Sequence, residues 1–479
     1  MGLRQTPENR FTSGCRFMMR RSFPSFRRGP LAALTFAAAC ALSPVQAADS
    51  MDDLFADPPA EEEGKAKKST EGLANSGDSV SGWRGFSQFE LARTVSGDSH
   101  WSKARWRNEL GRSGSFGQGI KWKAVGRVDY DLAYGWESDF YPAAVRDDRR
   151  SEFAWREVYV DVPVGEVELR LGRQHIVWGE MVGLFFADVV SARDMREFFT
   201  QEFDQQRIPQ WAARAEYFRN DWRAELIWVP YVSVDNIGRF GGDFYPTQPA
   251  IPGVNARYEA QQRPDSKLSN SNYGLRVGTL VKGWDLSAFY YRSLDVNPTF
   301  ARRFASPTTV IYTPEHDWIH QYGATLTKDF GSFLLRAEGV LTRDRRLPVS
   351  SALPDGLVRQ DMVDYAIGLD FPFQNESRFN IQYFERYHID RNADLLASKR
   401  ENGMALLYNH KFDERLEGEM LWVQSLVRND YMFRPKLIWR VQSNWRAQFG
   451  ADLFGGNANG YFGRFGNSDR YYGELRYSF

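Results

Sequence analysis

From Trp83 onward the chain falls into segments of about ten residues in which apolar and charged side chains alternate one by one. Ile120, Trp122, Ala124, Gly126, Val128, Tyr130 and Leu132 interleave with Lys121, Lys123, Arg127, Asp129 and Asp131. Trp445, Ala447, Phe449, Ala451 and Leu453 interleave with Arg446, Gln448, Gly450 and Asp452, and Tyr273, Leu275, Val277, Thr279 and Val281 hold one parity of a third segment. A period of two sends successive side chains to opposite faces, which is a β-strand. Helical membrane spans are excluded, since one needs about 20 consecutive apolar residues and the longest run here is Leu31 to Leu42.

Alternation alone fits a soluble sandwich as well as a barrel; the connections decide. Tight ones near Arg112 to Gly119, Pro163 to Glu166, Arg219 to Asp221, Lys282-Gly283, Lys328 to Ser332, Phe373 to Ser377, Phe412 to Arg415 and Gln442 to Asn444 alternate with mostly long ones. The long ones are Tyr134 to Arg150, Gly179 to Arg207, Pro230 to Asn270, Leu294 to His316, Leu347 to Arg359, Ile389 to Asn402 and Phe454 to Ser468. Short turns on one side and long loops on the other are the pattern of a transmembrane outer-membrane β-barrel. Eight short turns and nine outer connections predict an all-β fold of eighteen antiparallel strands. The short joint Val427 to Tyr431, where a long loop is due, leaves sixteen as the alternative.

The ends agree with export to an outer membrane. Residues 1–47 carry seven Arg and one Glu, then the apolar run and Val45-Gln46-Ala47, so they read as a signal peptide cleaved after Ala47. Residues 48–80 hold nine acidic residues and three lysines and read as a disordered acidic periplasmic tail, with the barrel spanning 81–479. Cys15 and Cys40 both precede the cleavage point, so the mature chain is expected to have no thiol for disulfides, metal binding or nucleophilic attack. Trp83, Trp101, Trp136, Trp222, Trp284 and Trp318 lie at strand ends, where amphipathic rings suit a membrane interface. The closing run ends Tyr477-Ser478-Phe479, and Tyr477 and Phe479 match the aromatic assembly signal of such barrels.

A barrel of this size encloses a lumen, and the inward parity carries both charges: Lys103, Arg105, Arg107 and Glu109; Glu168 and Arg170; Arg214 and Glu216; Arg223 and Glu225; Arg336 and Glu338. Most of these are expected to satisfy one another as a salt-bridged wall. Only 12 of the 61 basic residues are lysines, and the planar fork of Arg suits carboxylate, sulfate or phosphate, which leans the solute toward anions.

The most distinctive passage is Leu169-Arg170-Leu171-Gly172-Arg173-Gln174 leading to Trp178-Gly179-Glu180, then Asp188-Val189-Val190-Ser191-Ala192-Arg193-Asp194-Met195-Arg196, then Arg207-Ile208-Pro209. Here the chain resembles a proteobacterial outer-membrane barrel family of unknown function. In that family a strand ends in Gly-Arg-Gln and Trp-Gly-Glu, an Asp-Val loop contains Asn-Pro, and Arg-Ile-Pro precedes the next strand. Ser191-Ala192 stands in place of Asn-Pro. The resemblance implies an outer-membrane barrel with a transport role and supplies no catalytic residue. Ser191 followed by Asp194 forms a capping box and predicts a short helix over 192–203, with Met195, Phe198, Phe199 and Phe203 on its apolar side. The helix either narrows the pore or lids its mouth. Arg170, Gln174, Trp178, Glu180, Asp188, Arg193, Asp194, Arg196, Glu197 and Arg207 are the expected lumen and constriction residues.

No cofactor motif, nucleic-acid motif, metal site or catalytic constellation emerges. His316 and His320 straddle a loop and a strand start, where their spacing does not converge two rings on a metal, and His410 has no local Ser or Asp arrangement. The expected function is therefore a non-enzymatic channel or transporter for small solutes. The alternative is a conduit for a hydrophobic or amphipathic compound working with an inner-membrane pump, and an outer-membrane hydrolase and a structural or partner-docking scaffold are the remaining readings. Outer-membrane lipid, lipopolysaccharide, the barrel assembly machinery and a periplasmic or inner-membrane transport protein are the expected partners.

Overall fold

The computed structural model describes residues 79–181, 186–351, 353–373 and 376–479; the expected signal peptide and nearly all of the acidic tail lie outside them. Ser79 and Val80, placed by sequence at the end of the tail, already pair with Ser115 and Gly114.

Eighteen antiparallel strands close on themselves. They are β1 Arg84–Thr94, β2 Trp101–Phe116, β3 Ile120–Asp131, β4 Ser151–Val164, β5 Val167–Gln174, β6 Gln210–Arg219, β7 Trp222–Tyr231, β8 Asn272–Val281 and β9 Trp284–Leu294. The ring continues with β10 Trp318–Asp329, β11 Leu334–Pro348, β12 Leu357–Pro372, β13 Arg378–His388, β14 Arg400–Lys411, β15 Leu416–Ser425, β16 Asp430–Gln442, β17 Trp445–Gly456 and β18 Arg470–Ser478. Each pairs with its sequence neighbours, and β1 also pairs with β18, from Phe86 opposite Ser478 to Thr94 opposite Arg470. Closure removes every unpaired strand edge, which is the condition for crossing lipid with strands. Phe479 extends the seam: its N–H donates to the Gly85 carbonyl, and Gly85 N–H donates back to the Phe479 carbonyl, each at 2.9 Å.

The count is eighteen, not sixteen, because Leu426 to Asn429 is a genuine turn, with Asn429 at φ 53° and Ser425 paired with Asp430 at its base. All eight tight connections form. At Lys282-Gly283 both residues take positive φ, 52° and 75°, the backbone hand that matches the strand twist of a two-residue hairpin.

The alternation resolves into two faces. Phe153, Leu226 and Phe449 are 57–60% exposed on the outside, an apolar band suited to lipid, whereas Arg107, Gln88 and Gln382 of the inward parity are 1% exposed. Side chains that face an open aqueous lumen stay wet; these are covered, so other parts of the chain fill that part of the interior.

The outer connections supply the cover. The connection between β3 and β4 folds into helices α1 Ala133–Trp136 and α2 Ala143–Arg149. Two long loops join in a three-stranded sheet of Asn255–Tyr258, Thr309–Glu315 and Thr299–Ser306. Ile237, Tyr245, Phe300, Val310 and Tyr312 form a buried cluster there.

Candidate functional site

Residues 175–209 connect β5 to β6, and their described part crosses the lumen. Near its start, Glu180 is held by Arg276 of β8 at 2.9 Å and by the hydroxyls of Thr325 and Thr327 of β10 at 2.9 and 2.6 Å. Glu338 of β11 accepts the backbone N–H groups of Glu180, Phe186 and Ala187. Farther on, Glu197 reaches Lys103 and Arg105 of β2 and Arg470 of β18. Strands β2 and β11 are nine positions apart in a ring of eighteen, half the circumference, so one loop is tied to opposite walls.

The expected helix over 192–203 does not form. Ser191 Oγ donates to the Ile176 carbonyl at 2.8 Å instead of capping. Ala192–Arg193 is a two-residue strand paired with Arg207–Ile208, and Arg193 and Asp194 bridge to Asn236 of the next outer loop. Asp194 turns its carboxylate onto Arg196, and Phe198 sits at φ 53°, outside the helical region. The local capping signal loses to pairing with the rest of the loop. The helix that this loop does form, α3 Phe203–Gln206, is one turn long and begins where the expected one was to end.

The apolar residues assigned to that helix are nevertheless covered. Phe198 packs with Leu407, Leu421, Val423, Met432 and Phe454 of the inner wall and Phe462 and Phe465 of the last outer loop, with Met195 and Phe199 alongside. Trp178 is fully buried with Ile176, Val189, Val190, Ile227, Val229, Phe289 and Tyr291. Trp178 thus anchors the loop and does not face a passage.

Charge is organised around Glu197. One carboxylate oxygen accepts from Arg105 and Arg149, each at 2.9 Å; the other meets Lys103 at 2.5 Å and Arg470 at 3.1 Å. Lys103 and Arg105 also hold Glu90, and Arg470 shares Asp452 with Arg434. Burial alone raises the Glu197 carboxyl, but Lys103, Arg105, Arg149 and Arg470 overrule it and hold the group well below the usual carboxylate range. Beside it, Arg107 and Arg127 contact Asp129, and Arg107 also donates to Gln205 at 2.6 Å. Arg434 donates to the carbonyls of Phe199 and Thr200, and Lys436 pairs with Glu202 at 2.9 Å. A buried network of this kind contributes less to stability than to geometry, because desolvation offsets most of the attraction.

Of the residues singled out by sequence, Glu180, Asp188, Arg193, Asp194, Arg196, Glu197 and Arg207 lie on the crossing loop. Asp188 pairs with Arg207 at 3.0 Å, joining the loop's two limbs. Arg196 spans Asp194 and Glu152 of β4. The Arg193 N–H donates to Asp235 at 2.8 Å. Gln174 closes onto the Ala212 carbonyl at 3.1 Å. Arg170 lies apart, paired with Asp161 at 2.6 Å and stacked on Tyr159. Arg149, Arg434, Lys436, Asp452 and Arg470 were not singled out. The inward parity of β16 to β18 contains all but Arg149, which lies in α2 with no sequence signal to mark it.

The model of a family described as "Protein of unknown function (DUF1302)" matches residues 127–397. The chain belongs to this DUF1302 family. The match takes in the crossing loop and everything from Arg127 of β3 to the loop before β14, leaving β1, β2 and β14–β18 outside. No curated protein matches the sequence. Among solved structures, the chain is similar to OccK8 (OprE) of Pseudomonas aeruginosa, 10% identical with a TM-score of 0.50, covering 84% of this chain and 97% of that one. It is also similar to OccK9 (OpdG) of the same organism, 11% identical, TM-score 0.49, covering 84% and 97%, and to OccAB4 of Acinetobacter baumannii, 9% identical, TM-score 0.49, covering 84% and 98%. At such identities the likeness is one of barrel fold.

Proposed function

We propose that this DUF1302 protein is an outer-membrane channel for small anionic solutes, with residues 175–209 as its constriction. One observation carries the reading: a single loop is tied to opposite walls of an eighteen-strand barrel and meets, at its Glu197 end, a wall rich in Arg and Lys. In a narrow, partly dehydrated passage each fixed charge acts at a lower effective dielectric than on an open surface, so wall cations bias which ions pass. The chain is exported by its signal peptide, inserted by the barrel assembly machinery and surrounded by lipid and lipopolysaccharide, and it works without catalytic chemistry.

A second reading follows from the apolar inner surface. Leu407, Leu421, Val423, Met432 and Phe454 form one inward patch and Ile227, Val229, Phe289 and Val340 another. Phe198 and Trp178 of the crossing loop cover them as the loop stands; with the 196–199 turn lifted, the first patch would be bared to an amphipathic compound fed by an inner-membrane pump. Planar-bilayer recording with salt gradients separates the two: anion-biased reversal potentials support the channel. Silence from both the wild type and a variant lacking Ala192 to Phe203 would exclude it.

A further inference from the structure

We propose that the cradle around Glu197 is a carboxylate-binding subsite of the translocation path, filled here by the loop's own side chain. The inference rests on the channel reading and names the solute chemistry of that site. Its basis is the geometry of the occupant. Each oxygen of one planar carboxylate is matched to two cations, Arg105 with Arg149 and Lys103 with Arg470, at 2.5 to 3.1 Å. Three of these cations stand on the wall strands β2 and β18, and Arg149 on the neighbouring outer loop. The site is therefore built by parts of the molecule other than the loop that occupies it.

Removing Glu197 leaves four cations with ion pairs to two carboxylates, Glu90 and Asp452, Asp452 being shared with Arg434, and with Asp129, Asp131 and Asp194 farther off. A buried excess of positive charge is costly unless an anion arrives to replace the one withdrawn. The turn that delivers Glu197 has its own strain: Phe198, the next residue, is held at φ 53°, a conformation that a bulky residue keeps only when its surroundings over-determine it. When residues 196–199 lift, the cradle is open to a solute carboxylate of the same shape. When they close, Glu197 takes its place.

The test uses the full chain assembled in detergent micelles and sodium acetate as the probe, with sodium chloride at matched ionic strength as reference. Glu197→Ala should show a saturable, acetate-specific rise in thermal unfolding midpoint, with at least tenfold tighter apparent acetate binding than the wild type. Adding Arg149→Ala to Glu197→Ala should weaken acetate binding about tenfold. If Glu197→Ala does not assemble, Glu197→Ser, which keeps a small polar group there, gives the same titration. An acetate response equal in wild type and variant, or absent from both, overturns the proposal. Because binding is read in micelles, loss of conductance in bilayers bears on the channel reading and leaves this result standing.

Discussion

Phe198 packs the 196–199 turn against the inner wall, and replacing it by Ala gives a quantitative test of the crossing loop. Its ring is 5% exposed, with Phe199 and Phe465 at centroid distances of 4.7 and 4.8 Å, Tyr461 at 5.3 Å, Phe462 at 6.0 Å and Phe454 at 6.1 Å. Truncating a buried Phe to Ala costs about 3–5 kcal/mol. The cavity lies between loop and wall, so most of that cost falls on docking and little on the barrel, whose strands remain paired. Alanine keeps the same positive φ, so backbone strain cancels from the comparison. At about 1.4 kcal/mol per tenfold, 3 kcal/mol raises the lifted fraction by roughly a hundredfold. Hydrogen bonds from Arg434 to the carbonyls of Phe199 and Thr200 remain, so the turn loosens without being lost. Gln201 is 6% exposed and its side-chain amide has no hydrogen-bond partner among the described residues, so Gln201→Cys reports on the turn without breaking a hydrogen bond. Modification of the introduced thiol by a methanethiosulfonate reagent should run about a hundredfold faster in the Phe198→Ala background, with the chain that keeps Gln201 as blank. Equal rates in the two backgrounds would falsify the claim that this packing holds the loop in the lumen.

Tags inserted in the Pro230 to Asn270 or Leu294 to His316 loops should be labelled on intact cells and a tag at Lys282-Gly283 should not; the reverse pattern would invert the orientation. Phe479→Ala keeps the backbone bonds to Gly85 but removes the terminal ring stacked near Tyr477, and should lower the yield of heat-modifiable, assembled barrel; unchanged yield would remove these aromatics from assembly. Burial pushes the Asp235 carboxyl up to about 7, with Asp295 adding to the rise and Arg193 opposing it. A folded-state value above the ordinary one means stability that is full at low pH and is lost as pH rises through about 7. Protection from hydrogen exchange at the Arg193–Asn236 bridge, taken relative to the intrinsic amide rate at each pH, should therefore fall between about pH 4 and 7 in the wild type and level off above, and Asp235→Asn should flatten that fall; a dependence of the opposite sign would contradict the burial argument.

The barrel was legible because period-two alternation and turn length are local properties: Lys282-Gly283 needs no distant residue to be read as a hairpin. The lumen was not. Ser191 and Asp194 carry a valid capping pattern, yet Ser191 bonds Ile176 and Asp194 bonds Arg196, partners chosen by how the loop folds back on itself and on the wall. The same non-locality hid Arg149, whose role depends on α2 bringing it to Glu197 of the crossing loop. Inward Leu407, Val423 and Met432 also broke the expectation of a polar lumen; they are apolar because Phe198 and Phe199 cover them. Sequence located the important segment and most of its charged residues, but their partners come from strands far away in the chain.

The two ends of the crossing loop are fastened by different chemistry, and this decides which end releases. At β11, Glu338 accepts backbone N–H groups of Glu180, Phe186 and Ala187 while Trp178 is fully buried beside them. Hydrogen bonds from fixed amides to a wall carboxylate, each contributing about 1.5–3 kcal/mol, offer no place for a solute anion, since the wall itself supplies the negative charge. At β2 and β18 the polarity is reversed: the wall supplies cations and the loop supplies the anion. At the first end Glu180 also gives the loop's own carboxylate to Arg276 of β8, but an anion meets one close cation there and four at Glu197, and Glu338 and the buried Trp178 hold the chain beside Glu180 in either case. Release therefore begins at Glu197, with Trp178 and Glu180 staying in place. A loop fastened at both walls by its own carboxylate alone would have no anchored end, and one fastened by backbone donors at both would give a solute no means of opening it.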